Sequence, residues 1–225
     1  MSTTATAADP FRFIGCVELR QSLDQRATDE RELLDRLEDV PAGSIFYHTH
    51  GYFLRHRPIT TAYGNDFASW VAVHVRDQVL AERLAVINPF EFQSLEAIRE
   101  ELLSVVNDHL ARLSVVPRVE LGEAFHFQQS HIVEVPLGSA ASTLAEFRQG
   151  LAEVDASAIY YHMVEARARL GRRSGDFAEW LRTSLGMTAL AERIQRIDAY
   201  MTSLERVRAR ILSLVDQTLE TETSR

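Results

Sequence analysis

Three imidazoles stand close together in the first half of the chain, His48, His50 and His56, with Asp66 after them. Imidazole is the commonest protein ligand for zinc and other borderline metals, and three nitrogens with one carboxylate complete a four-ligand set. His48, His50, His56 and Asp66 are therefore the candidate metal site, and a divalent metal is the one cofactor the sequence suggests. The spacing argues against it. At ~100° per residue His48 and His50 point about 200° apart on a continuous helix, so one ion reaches both only if the helix ends near Gly51. The plainer reading is a group of satisfied core or surface histidines.

His48 and His162 each follow a tyrosine and precede an aspartate, Asp66 or Asp176. A His-Asp pair that fixes one tautomer can move a proton. A buried imidazole donating to the aspartate at the next helix start also ties two helices and satisfies groups that are costly to bury. Its double occurrence favours the tie. His48, Asp66, His162 and Asp176 are read as structural ties, with Trp70 and Trp180 as core anchors. Arginines crowd the second half, and Arg167, Arg169, Arg172 and Arg173 are the candidate anion-binding group, with Arg182, Arg206, Arg208 and Arg210 beyond them. Planar guanidinium groups suit carboxylates and phosphates. No residue is assigned a catalytic role.

Composition narrows the field. All 24 basic side chains are arginine, so no P-loop, kinase or Schiff-base lysine exists. The net charge of −8 disfavours nucleic acid as a partner. Cys16 is the single cysteine, which excludes an intramolecular disulfide and any Cys-x-x-Cys motif. No apolar run approaches the roughly 18 residues of a membrane span, and the first residues carry no signal-peptide pattern. A cytoplasmic protein is the expectation.

The elements that must position these residues occur twice. Phe11-Arg12-Phe13 matches Phe125-His126-Phe127 at an offset of 125 − 11 = 114, and His48 matches His162 at the same offset. Asp66 matches Asp176 at 176 − 66 = 110, Leu80-Ala81-Glu82-Arg83 matches Leu190-Ala191-Glu192-Arg193, and Ser94-Leu95-Glu96 matches Ser203-Leu204-Glu205 at 109. Such ordered blocks imply a tandem duplication of a unit of roughly 110 residues. Each unit opens with a strand whose phenylalanines alternate. A helix capped at Asp29 or Thr143 follows, then a Tyr-His helix entered at Ser44 or Ser157, a Trp helix, and a last helix with a three-four apolar stripe. In the first copy that stripe is Leu95, Ile98, Leu102, Val105, His109 and Leu113. The expected fold is mainly α with a small β component, α+β, its two copies packed about a pseudo-two-fold axis. The divisions are a tail at 1–9, a first unit at 10–114, a linker at 115–123, a second unit at 124–219 and a frayed tail at 220–225.

Ser44 to His50, Asn65-Asp66-Phe67-Ala68-x-Trp70-Val71, Leu80-x-Glu82-Arg83-Leu84 and Ser94-Leu95-Glu96-x-Ile98-Arg99 resemble a prokaryotic family classed as a domain of unknown function. The resemblance spans both halves and implies a soluble prokaryotic protein without a characterised activity. The second copy departs from it, with Met163 and Val164 where the first has Thr49 and His50. The expected function is a non-enzymatic protein-interaction or regulatory module, binding another protein or itself. The alternatives are a metal-binding protein or metal-dependent enzyme on the first-copy histidines, and a sensor of an anionic ligand.

Overall fold

The computed structural model describes residues 5–56, 63–120, 122–166, 175–200 and 202–223. Helices dominate, and two strands pair as a two-stranded sheet, so the architecture is mixed α+β. Among the described residues no helix is long and apolar enough to cross a membrane. The chain forms two compact units, one of Glu18–His131 and one of Met1–Val17 with Ile132–Arg225.

These units cut across the segments 10–114 and 124–219 read from the sequence. Strand β1 (Phe11–Ala27) begins in one unit and ends in the other, and so does β2 (Phe125–Ala141). The physical reason lies in the alternating phenylalanines. Period-2 spacing gives a strand an apolar face but does not say which core receives it. Phe11 and Phe13 enter the core built by residues 144–215, and Phe125 and Phe127 enter the core built by residues 33–110.

In the unit of Glu18–His131 the helices are α1 (Glu30–Asp39), α2 (Ala42–His48), α3 (Tyr52–Arg55), α4 (Asp66–Trp70), α5 (Gln78–Ala85) and α6 (Leu95–Leu110). Asp29 caps α1 by accepting from the Glu32 N–H at 2.8 Å, as its spacing suggests. Glu32 does not close a capping box. Its carboxylate instead takes the Thr28 N–H at 2.7 Å and the Thr28 hydroxyl at 2.9 Å. The expected cap at Ser44 is absent, because α2 starts one turn earlier behind Pro41 and Ser44 lies buried inside it. Asn65, not Asp66, caps α4, and α4 runs on as a π-type turn, Val71–Val75. The core gathers Leu33, Leu37, Ile45, Phe67, Leu80, Leu84, Leu102 and Val106 around Phe125 and Phe127.

In the other unit the helices are α7 (Leu144–Glu153), α8 (Ala156–Tyr160), α9 (Asp176–Thr183), α10 (Thr188–Gln195) and α11 (Leu204–Thr223). Thr143 and Glu146 form the full capping box of α7. Asp155 caps α8 by accepting from the Ser157 N–H, so the cap expected at Ser157 sits two residues earlier. Phe13 stacks on Phe147 at 5.8 Å, and Gly150 makes the approach possible. A Cβ there would lie 2.4 Å from the Phe13 ring. Burying each strand phenylalanine contributes about 2–3 kcal/mol by apolar area, which is why the strands are held at these ends.

Candidate functional site

The two histidines singled out by sequence occupy matching settings. His48 Nδ1 lies 2.8 Å from Asp66 Oδ2, while its Nε2 accepts the Gln128 backbone N–H at 3.1 Å. His162 Nδ1 lies 2.9 Å from Asp176 Oδ2, while its Nε2 accepts the Ile14 N–H at 3.0 Å. An Nε2 that accepts must be unprotonated, so both rings are neutral and donate from Nδ1 to the aspartate. The indoles repeat the pattern. Trp70 Nε1 donates to the Glu123 carbonyl at 2.8 Å and Trp180 Nε1 to the Asp9 carbonyl at 2.9 Å. Each side chain thus grips the backbone that carries the strand phenylalanines.

Burial pushes the His48 imidazole down, against the pull of Asp66. Burial works against the Asp66 charge too, but the His48 hydrogen bond and Arg55 hold its carboxyl below the usual range. Arg55 Nη2 donates to Asp66 Oδ2 at 2.5 Å, and its guanidinium lies 3.8 Å from the centre of the Tyr47 ring. With both ring nitrogens engaged, His48 has no lone pair to offer an ion or a substrate.

The remaining members of the expected metal set point elsewhere. His50 stacks on Phe46 at 5.1 Å and meets Phe90 edge-on at 5.4 Å. His56 stacks on Tyr52 at 4.1 Å and donates from Nδ1 to the Tyr52 carbonyl at 3.0 Å. The helix does end at His48, as ligation would need, yet the rings fill aromatic pockets instead of converging. The anion group Arg167, Arg169, Arg172 and Arg173 lies outside the described residues.

A different cluster forms where no motif announced one. Glu30, Asp77 and His109 are the one set among the described residues in which three His, Cys, Asp or Glu side chains place ligand atoms within 4.8 Å of one another. His109 Nε2 is 2.9 Å from Asp77 Oδ2 and 3.7 Å from Glu30 Oε2. Glu30 is 0% exposed, and neither of its carboxyl oxygens has a hydrogen-bond partner. Burial, then the charges of Asp77 and Asp29, push its carboxyl up to about 8. The sequence hid the cluster because each residue has a local explanation. Glu30 reads as a first-turn acid, Asp77 as a cap, and His109 as part of an apolar stripe. The available signal was their joint loss at the matched positions Leu144, Met187 and Thr218.

A second feature lies in the unit that contains α7 to α11. A cavity of about 480 Å³ is lined by Arg193, Arg196, Arg206 and Arg210 and by one acid, Asp198, with the apolar side chains of Ile197, Val207 and Leu214. Val207 and Leu214 are buried and the arginines exposed, so an apolar floor carries a basic rim. The matched residues in the other unit, Arg83, Val86, Ile87, Glu101 and Val105, line a cavity of about 310 Å³ with Glu91 and only one arginine. The two cavities have opposite charge.

Exposed aliphatic side chains collect on the strands. In the unit holding α7 to α11, Val17 is 52% and Val133 44% exposed, with Val135 and Leu137 beside it. Positions 133, 135 and 137 share one face of β2.

The sequence profile of the family of unknown function DUF5752 matches residues 8–216. A solved structure, that of OrfY from Thermoproteus tenax, is similar to the chain at a TM-score of 0.78 and 28% identity, covering 95% of this chain and 97% of that one. No curated protein matches.

Proposed function

The chain belongs to the family of unknown function DUF5752, and we propose that it is a non-enzymatic binding module that recognises an anionic small ligand in the cavity lined by Arg193, Arg196, Arg206 and Arg210. One observation carries this reading: four guanidinium groups against a single carboxylate, Asp198, line a cavity with an apolar floor in a chain of net charge −8. Arg206 and Arg210 lie four apart on α11 and share a helix face, whereas Arg208 turns away to the Val154 carbonyl. Forked donors over an apolar base suit a phosphorylated compound with a ring or chain to bury. Duplication deepens the argument. Two copies of one unit, each lending its opening strand to the other, would carry equivalent cavities, and only the second has gained the basic rim. A cytoplasmic setting fits a phosphorylated ligand.

The test is thermal denaturation of the full chain with inorganic pyrophosphate, a sugar phosphate and a nucleoside triphosphate. A binding compound at about 100 times its Kd adds ~2.7 kcal/mol, a rise in Tm of roughly 5–10 °C for a chain of this size. Arg206→Ala combined with Arg210→Ala removes the rise. Flat melting across the panel, or an unchanged rise in the double variant, refutes the reading.

The exposed strand face favours a second reading, docking of another copy of the chain. An aliphatic patch is complementary to itself across a two-fold axis. Pro136 removes an N–H from β2, so the partner would lie on the face and not extend the sheet. Sedimentation should show a dimer that Val133→Glu dissociates. A wild-type chain that stays monomeric at high concentration rejects it.

A further inference from the structure

We propose that Glu30, Asp77 and His109 form a binding site for a divalent transition cation of the zinc or manganese class. The carboxylates stand near coordination spacing from the imidazole. Ligands held at ~2.0–2.1 Å by a tetrahedral ion lie about 3.4 Å apart. The observed 2.9 Å and 3.7 Å separations from His109 Nε2 bracket that value. All three ligand atoms lie within 4.8 Å of one another, close enough for side-chain adjustment to seat an ion.

The buried carboxyl of Glu30 is the independent observation. Polar groups taken out of water in native proteins nearly always have a partner, since an orphan costs its full desolvation. Glu30 is 0% exposed, both its oxygens lack a hydrogen bond, and its Oε2 faces His109. A cation supplies the missing partner.

The supporting elements are rigid. Glu30 is the first residue of α1 and Asp77 the cap of α5, where Oδ1 accepts the Leu80 N–H at 2.9 Å and leaves Oδ2 for His109. His109 projects from the buried face of α6. The Asp77 side chain is 14% exposed, which gives an ion a way in. Three protein ligands also leave a fourth position for water.

The fold itself does not require these three groups. Leu144 is likewise the first residue of its helix, Met187 precedes α10 as Asp77 precedes α5, and Thr218 returns its hydroxyl to the Leu214 carbonyl at 2.9 Å. The same scaffold positions are filled there without a single ionisable side chain. The choice of ion follows from the donors. One imidazole with two carboxylates disfavours magnesium and calcium, which prefer all-oxygen shells, and no thiolate is present for copper(I). The site is independent of the arginine-lined cavity, which belongs to the other unit.

The test uses the full chain stripped with chelator and titrated with Co²⁺, whose visible bands report ligand geometry, and with Zn²⁺ by calorimetry. One equivalent is expected to bind. Glu30→Leu and His109→Thr, which install the residues of the matched positions, should weaken it roughly 100-fold or more. Should Glu30→Leu fail to fold, Glu30→Gln keeps the shape and carries the same expectation. A wild-type chain that takes up neither metal overturns the proposal. So does binding of equal strength in the wild type, Glu30→Gln and His109→Thr, which would place the ion on other histidines.

Discussion

Raising the pH of the chelator-treated chain from about 5 to about 8 is expected to destabilise it, and Glu30→Gln to remove most of that loss. The Glu30 carboxyl is raised from 4.5 to about 8 in the folded chain, by burial first and by Asp77 and Asp29 second. Between those values the folded state holds a proton that the unfolded chain has released. Stability therefore falls as pH rises, because the native state is the one binding more protons. The contribution is complete below about 4.5 and gone above about 8. Its ceiling is about 5 kcal/mol, since a tenfold change in proton affinity is worth about 1.36 kcal/mol. Denaturant midpoints for both proteins at three pH values isolate the effect, since titrating groups away from Glu30 cancel in the difference. Parallel curves would show that Glu30 ionises normally. A bound cation makes the complementary forecast, because it takes the ionised carboxylate and should flatten the wild-type slope.

The sequence made some of this legible and concealed the rest, for reasons particular to each residue. Asp29 and Thr143 were readable because a cap acts within one turn and leaves a local signature. The His48-Asp66 and His162-Asp176 pairs were readable because the same Tyr-His and helix-start Asp recur in the same order, 18 residues apart in the first pair and 14 in the second. The cation candidates were not, since Glu30, Asp77 and His109 are far apart in the chain and meet only when α1, α5 and α6 pack. A comparison of matched positions for simultaneous loss of charge would have found them. The arginines are only half legible. The crowding near Arg167 is plain in the sequence, whereas the cavity uses Arg193, Arg196, Arg206 and Arg210, which only packing brings together. The destination of the strands was hidden altogether, because alternation specifies a buried face and nothing about the core that buries it.

That destination yields the last large effect. Phe13→Ala is expected to cost about 3–5 kcal/mol, the usual range for emptying a buried aromatic site, and so is Phe127→Ala. The two rings are 1% and 0% exposed, so neither site can relax by swinging into solvent. Hydrogen exchange should separate them by place. Phe13→Ala removes the ring stacked on Phe147 and loosens the Ile14 N–H bond to His162, so protection should fall in α7 to α11. Phe127→Ala removes the ring packed near Phe67 and loosens the Gln128 N–H bond to His48, so protection should fall in α1 to α6. If each strand served the helices that follow it in the chain, the two patterns would be reversed, and that result would refute the exchange. The exchange also governs how binding must be measured. A fragment of 10–114 lacks the phenylalanines that close its helices, and a fragment of 124–219 lacks Phe11 and Phe13. Failure of either piece to bind an anion or a cation would report a missing strand before it reported a missing site.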